Sequence, residues 1–288
     1  MSFDEFIAAA WNDHADHAED VGARLAGSLA LIATPAQVAP YARIVTHVFG
    51  EHLAQWQRGV DLLAAIGALP VAAGEAERAL LARSSAALRY AGGERDALAP
   101  LGREDRIAAL ATVASAFAAL ARFGDALDAY EAAVHEAADG LPAGSPAIRA
   151  LAVGGNNLAS ALEGKAARDA RETAGMLAAA QHGLVYWRQA GTWLEEERAQ
   201  YRLARSRLAA GQAAAAAEAA QACVDVCVAH DAPPFERFFG HAVLAVALRA
   251  AGQPEAAAHA KAQALAEYEK VPEGDRPWCA TELAELGS

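Results

Sequence analysis

Short turns close apolar, alanine-rich helical segments at Ala121, near residue 166, at Gly211 and at Gly252. This spacing of roughly 40 residues, in a chain without alternating β-branched segments, constrains the fold more than any other feature. A period of that length in an all-helical pattern describes units that bury their apolar faces only by stacking on their neighbours. The segments themselves read as Trp56 to Leu69, Glu75 to Tyr90, Arg106 to Ala121, Asp125 to Ala138, and then 146–163, 168–190, 193–210, 213–230, 234–251 and 254–270. A last helix near 277–286 follows Pro272 and Pro277. The 82 alanines support this reading, because alanine is the strongest helix former and lets helix backbones approach closely.

The N-terminal stretch is less regular. Phe3 to about Ile32 reads as one long or broken helix with Gly22 and Gly27 as weak points. Thr34 has the chemistry of an N-cap and Pro35 that of a first helical turn, opening a helix that runs to about Leu53. Gly140-Leu141-Pro142-Ala143-Gly144-Ser145-Pro146 is the clearest linker, and 139–146 is a candidate hinge. The organisation expected is an N-terminal helical cap over 1–34, a repeat array over 35–270 and a C-terminal capping helix over 271–288.

A formal net charge of −12 repels a nucleic-acid backbone, so no nucleic-acid partner is expected. No run of about 18 uncharged apolar residues is present to span a bilayer, and the acidic start Met1-Ser2-Phe3-Asp4-Glu5-Phe6 lacks the positive charge of a secretion signal. Three sparse cysteines, Cys223, Cys227 and Cys279, suit reduced thiols. A cytoplasmic location is the expectation, with no membrane partner.

The residues around the turns carry a resemblance. With Ala121 as position 15 of a repeat, Leu110, Ala114, Phe117, Ala126, Tyr130 and Ala133 fall at positions 4, 8, 11, 20, 24 and 27, each of the type found in the tetratricopeptide repeat (TPR) superfamily. With Gly211 and Gly252 at position 15, small residues recur as Ala204, Ala216 and Cys223, and as Ala245, Ala257 and Ala264. The stretch Asn156-Asn157-Leu158-Ala159 resembles the longer, roughly 42-residue repeats of the kinesin light chains. The resemblance implies an all-α, right-handed superhelix, an α-solenoid of about five TPR-like helix-turn-helix units with an atypical N-terminal cap.

In that superfamily positions 2, 5, 9 and 12 of successive first helices line a concave groove. Carried over, these positions give Asn156 at position 5 of one repeat, with Asn157 beside it at position 6, then Arg198, Tyr201 and Arg205 in the next repeat and Arg249 in the last, and all six are candidate groove residues. Asn amides pair with both donors and acceptors of an extended backbone, and Arg forks hold carboxylates at two points. The implied partner is a protein or peptide, with an acidic or C-terminal carboxylate segment suiting the groove. The plainer reading of the arginines is a solvated face beside Glu195, Glu196 and Glu197.

Candidate chemistry is sparse. His14 and His17, among Asp13, Asp16, Glu19 and Asp20, would come level with Glu51 and His52 if the flanking helices run antiparallel, giving N and O ligands for a metal. No Glu-x-x-His or His-Glu-x-x-His pattern accompanies them, so solvated polar faces with one packed histidine are expected, and no metal or other cofactor. Cys223, Cys227 and His230, with His241 nearby, are read as packing residues, since Cys223 occupies a small-residue position. The five tryptophans, Trp11, Trp56, Trp187, Trp193 and Trp278, are expected to anchor helix pairs. Neither a phosphate-binding Gly-rich loop nor a Gly-x-Ser-x-Gly elbow is present. The leading expectation is therefore an interaction module rather than an enzyme. A peptide- or small-molecule-sensing solenoid is the alternative, and a metal-dependent enzyme using the N-terminal histidines ranks third. The sequence leaves the partner and the oligomeric state open.

Overall fold

A computed structural model describes residues 1–287, which contain fourteen α-helices and no strand. The chain divides into two compact units, Met1–Leu158 and the residues from Ala159 onward, with the division inside one helix.

The first unit opens with α1 (Phe3–Asp13) and α2 (Ala18–Gly27). The break falls at residues 14–17 and not at Gly22, as a correction to the sequence reading. Gly22 lies inside α2 because the helix presses there on Phe49: a Cβ would sit 3.2 Å from that ring. Thr34 does cap the next element through a capping box with Gln37, and Pro35 fills the first position. A 3-10 turn then leads into α3 (Val38–His47). The helix does not continue to Leu53. Residues Val48–His52 widen into a π turn, closed by the bond from Leu53 N–H to Val48 O at 3.0 Å.

Next come α4 (Trp56–Gly67), α5 (Glu75–Ala91), α6 (Arg103–Ala119) and α7 (Phe123–Glu136). The core at the N-terminal end joins Phe6, Val21, Leu25, Tyr41, Ile44, Phe49 and Leu63. Phe6 stacks on Tyr41, whose hydroxyl donates to Leu25 O at 2.5 Å, so the one polar atom of this aromatic pair is satisfied. The linker 139–146 is strapped by Arg103, which donates to the carbonyls of Glu136 and Gly140.

Helix α8 (Pro146–Glu163) begins at that linker, where Ser145 Oγ accepts from Ala147 N–H. Its Gly154 meets α6 so closely that a Cβ would lie 2.9 Å from Ala111 O, and Tyr130 of α7 donates to Leu151 O at 2.9 Å. The helix therefore joins the α6–α7 pair through backbone contact that only glycine permits.

In the second unit, α9 (Ala170–Ala190), α10 (Trp193–Ala209), α11 (Ala213–Ala229), α12 (Pro234–Ala250) and α13 (Pro254–Tyr268) pack in sequential antiparallel pairs. Capping boxes at Asp169 with Glu172 and at Thr192 with Glu195 fix the starts of α9 and α10. Arg168 donates to Leu162 O, Glu163 O, Lys165 O and Ala209 O, satisfying carbonyls that end α8 and α10. A 3-10 turn (Glu273–Cys279) reverses the chain into α14 (Ala280–Gly287).

The repeat register read from sequence is present in the backbone. Ala121, Gly211 and Gly252 are all left-handed, with φ of 57°, 73° and 74°. Each is followed by the same bond five residues back: Arg122 to Phe117 O, Gln212 to Arg207 O and Gln253 to Leu248 O, at 2.8, 2.8 and 2.9 Å. This is the helix-terminating bond pattern for which a left-handed residue is required. The small residues of the signature, Ala114, Ala126, Ala133, Ala204, Ala216, Cys223, Ala245, Ala257 and Ala264, are buried, as are Leu110, Phe117 and Tyr130. Four tryptophans lie against neighbouring rings or in the interior, but Trp278 is 74 % exposed and anchors nothing.

Candidate functional site

The six residues expected to line a groove fall in both units. Asn156 and Asn157 belong to the first. Asn157 Nδ2 donates to Ser115 Oγ at 3.3 Å, so this amide links α8 to α6. Asn156 Oδ1 is buried and accepts no hydrogen bond among the described residues. An unpaired buried amide oxygen is costly, and this one is closed to solvent.

Arg198, Tyr201, Arg205 and Arg249 belong to the second unit, and the face formed by α10 and α12 brings them together. Their positions follow from helical spacing: 198, 201, 205 and 208 recur at three- and four-residue intervals along one side of α10. Phe239 of α12 meets the Tyr201 ring edge-on at 5.8 Å between centroids.

This face is covered. Helix α14 packs on α12 rather than continuing the sequential pairing, and it brings two carboxylates. Tyr201 Oη donates to Glu282 Oε1 at 2.5 Å. Arg205 grips Glu285 with two donors, Nη2 lying 2.8 Å from Oε1. Arg249 donates to the Glu285 carbonyl at 3.1 Å. Leu286 and Glu282 are the buried residues of α14. Burial is the main reason that the Tyr201 hydroxyl is held above its ordinary range, so it remains a donor. The bond to Glu285 holds the Arg205 guanidinium firmly protonated. One guanidinium and a phenol thus meet two carboxylates one turn apart, and a second guanidinium meets a main-chain carbonyl of the same helix. Sequence reasoning singled out Tyr201 and Arg205 for a partner and missed their contacts with Glu282 and Glu285, because 81 positions separate Glu282 from Tyr201 and no local pattern links them.

Arg198 is engaged differently. It pairs with Glu236 of α12 at 2.6 Å and so pins the two helices of the face to each other. Beneath it Glu197 is buried, accepts from Cys223 Sγ at 3.0 Å and lies near Glu236. Its carboxyl is pushed up to about 8, by burial above all, so it is protonated near neutral pH. Cys223, Cys227 and Cys279 are buried free thiols. Gly240 lets α12 pack on the first two, while His230 stacks on Trp193. Cys223, Cys227 and His230 therefore serve packing.

At the N-terminal end the candidate metal residues separate. His14 and His52 converge, but with His47 in place of His17. His17 is exposed at the start of α2, because the chain turns at residues 14–17 and carries it away. Glu51 lies 3.0 Å from His47 Nδ1. One ring nitrogen each of His14, His47 and His52 lies within 4.8 Å of the others. The His52 imidazole is held below the usual histidine range, first by burial and then by the neighbouring His47 and His14. His47 was missed because five-residue spacing from His52 places two side chains on different sides of an α-helix.

A scan of family models and a search of curated proteins find no match. Solved structures do match. The structure of kinesin light chain nearly identical TPR-like repeats from Podosopora anserina superposes with a TM-score of 0.52 at 16% identity, over 84% of this chain and 99% of that one. A single-substitution variant of that protein gives a TM-score of 0.50 at 17% identity, over 82% and 94%. Among the described residues no helix is long and apolar enough to cross a membrane. The chain thus has the all-α solenoid fold of TPR-like repeats, of the kind seen in kinesin light chain repeats.

Proposed function

We propose that this protein is an intracellular interaction module, not an enzyme, and that its α10–α12 face binds an acidic helical segment of a protein partner. TPR-like repeats generally serve protein–protein interaction through surfaces built by stacked helices. The observation that carries the finer reading is the occupancy of the face by α14, whose Glu282 and Glu285 meet Tyr201 and Arg205. A surface that holds an acidic helix in cis has the chemistry to hold another in trans. In this reading α14 is the resident ligand, and a partner binds by replacing it. Three free thiols accord with a reducing compartment.

Affinity capture from a lysate of the source organism tests this. Wild type is compared with Glu282→Gln/Glu285→Gln, which weakens the hold on α14, and with Tyr201→Ala/Arg205→Glu, which damages the face. A partner captured best by the first variant and lost with the second is expected. Equal capture by all three forms would place the binding surface elsewhere. Capture of nothing, with a melting shift from a small-metabolite pool, would favour a sensing role instead.

A further inference from the structure

His14, His47 and His52 come from three different pieces of local structure. His14 caps the end of α1, His47 is the last residue of α3, and His52 closes the π turn. In an α-helix residues 47 and 52 would lie about 140° apart around the axis. The π turn at Val48–His52 removes that offset, and their Nε2 atoms approach to 3.1 Å. A π turn inserted in a helix is costly and recurs at functional sites. Here its effect is to aim a second imidazole at the first.

The tautomers are fixed from behind. His14 Nδ1 lies 2.5 Å from Trp11 O, an acceptor, so Nδ1 carries the proton and Nε2 keeps its lone pair. His47 Nδ1 lies 3.0 Å from a Glu51 carboxylate oxygen, and the same logic leaves its Nε2 unprotonated. The three ring centroids form a near-equilateral triangle with sides of 4.8, 4.9 and 4.8 Å. Without an ion His52 Nε2–H donates to His47 Nε2 across the 3.1 Å contact, and a cation at the centre of the three rings takes the place of that proton. Tetrahedral bonds of about 2.05 Å to nitrogen place neighbouring ligand atoms about 3.3 Å apart, close to the His47–His52 separation.

Nearby carboxylates are engaged elsewhere. Asp13 pairs with Arg24, and Glu19 with Gln55 and Arg58. Trp11 packs against both His14 and His47 and forms an apolar wall. We propose that His14, His47 and His52 form a three-imidazole site for one divalent first-row metal ion, Zn²⁺ in the simplest case, with Glu51 positioning His47 and a solvent molecule as fourth ligand. Imidazole donors suit Zn²⁺, Ni²⁺ and Cu²⁺ and exclude Mg²⁺ and Ca²⁺ as natural occupants. A carboxylate behind a ligating histidine is the arrangement that fixes ring orientation in such sites. The ion ties α1 to α3 and the π turn, so it stabilises the N-terminal unit.

The test uses the full chain without an affinity tag, stripped with chelator and titrated with Co²⁺ alone, then with Zn²⁺ in competition. The expected result is one equivalent bound, with visible bands of four-coordinate intensity that Zn²⁺ abolishes. His52→Ala and His47→Ala should each lower affinity at least about 100-fold, and Glu51→Gln about 10- to 100-fold. His17→Ala should bind like wild type. Circular dichroism of His52→Ala establishes that loss of binding is not loss of fold. Failure of the folded wild type to bind saturably overturns the proposal, as does retention of binding by both histidine variants.

Discussion

Arg205 and Glu285 lie 80 positions apart in sequence and meet through two guanidinium donors, one of them at 2.8 Å. The pair fastens an acidic helix, α14, onto α10. A two-point bond to a partly buried carboxylate is stronger than an exposed ion pair. Arg205→Ala should therefore weaken docking of α14 by about 1–2 kcal/mol while leaving the helical pairs intact. Hydrogen exchange at residues 280–287 should speed up about 5- to 30-fold, with little change in α10 and α12.

The buried Glu197 gives stability a distinctive pH dependence. Its carboxyl titrates at about 8 in the folded protein against an ordinary value of 4.5, so the folded state holds a proton that the unfolded chain has released. Stability should therefore fall as pH rises from about 4.5 to about 8 and level off above it. Cys223, Glu236 and Arg198 are the groups facing it. Glu197→Gln should flatten that slope and stabilise the protein by about 2–4 kcal/mol at pH 9 relative to wild type. Urea denaturation of both forms at pH 5.5 and pH 9 measures this.

The three equivalent turns differ at the left-handed residue itself. Ala121 carries a Cβ at φ 57°, where Gly211 and Gly252 carry none. Ala121→Gly should stabilise by about 0.5–1 kcal/mol, and Gly211→Ala should destabilise by about 1 kcal/mol, because nothing within 4 Å of the new Cβ obstructs it and only backbone strain changes. Opposite shifts in urea midpoint are the expected result.

Gly154 is required for a different reason, the approach of α8 to α6. Gly154→Ala places a methyl 2.9 Å from the Ala111 carbonyl and should cost about 1–3 kcal/mol. Thermal unfolding checks it, with Gly124→Ala as a control at an open position.

Much of this architecture is written locally. Turn residues such as Gly211, caps such as Thr34, and small residues at helix crossings act within a few positions, so their pattern exposes helices, turns and repeat register. The residues missed act over long separations or through irregular backbone. Glu282 and Glu285 reach α10 only because the turn at Glu273–Cys279 reverses the chain. His47 joins His52 only because a π turn replaces α-helix. The break after α1 fell at residues 14–17, since Gly22 serves close packing and not chain reversal.

The most direct measurement asks whether the α10–α12 face binds an acidic helix in trans. A labelled peptide spanning residues 276–287 is titrated against wild type, against Glu282→Gln/Glu285→Gln, and against that double variant carrying Arg205→Ala. Saturable binding to the double variant is expected, with at least about 10-fold weaker binding to wild type, where α14 competes, and loss on adding Arg205→Ala. Absence of binding to the double variant, or binding unaffected by Arg205→Ala, would contradict it.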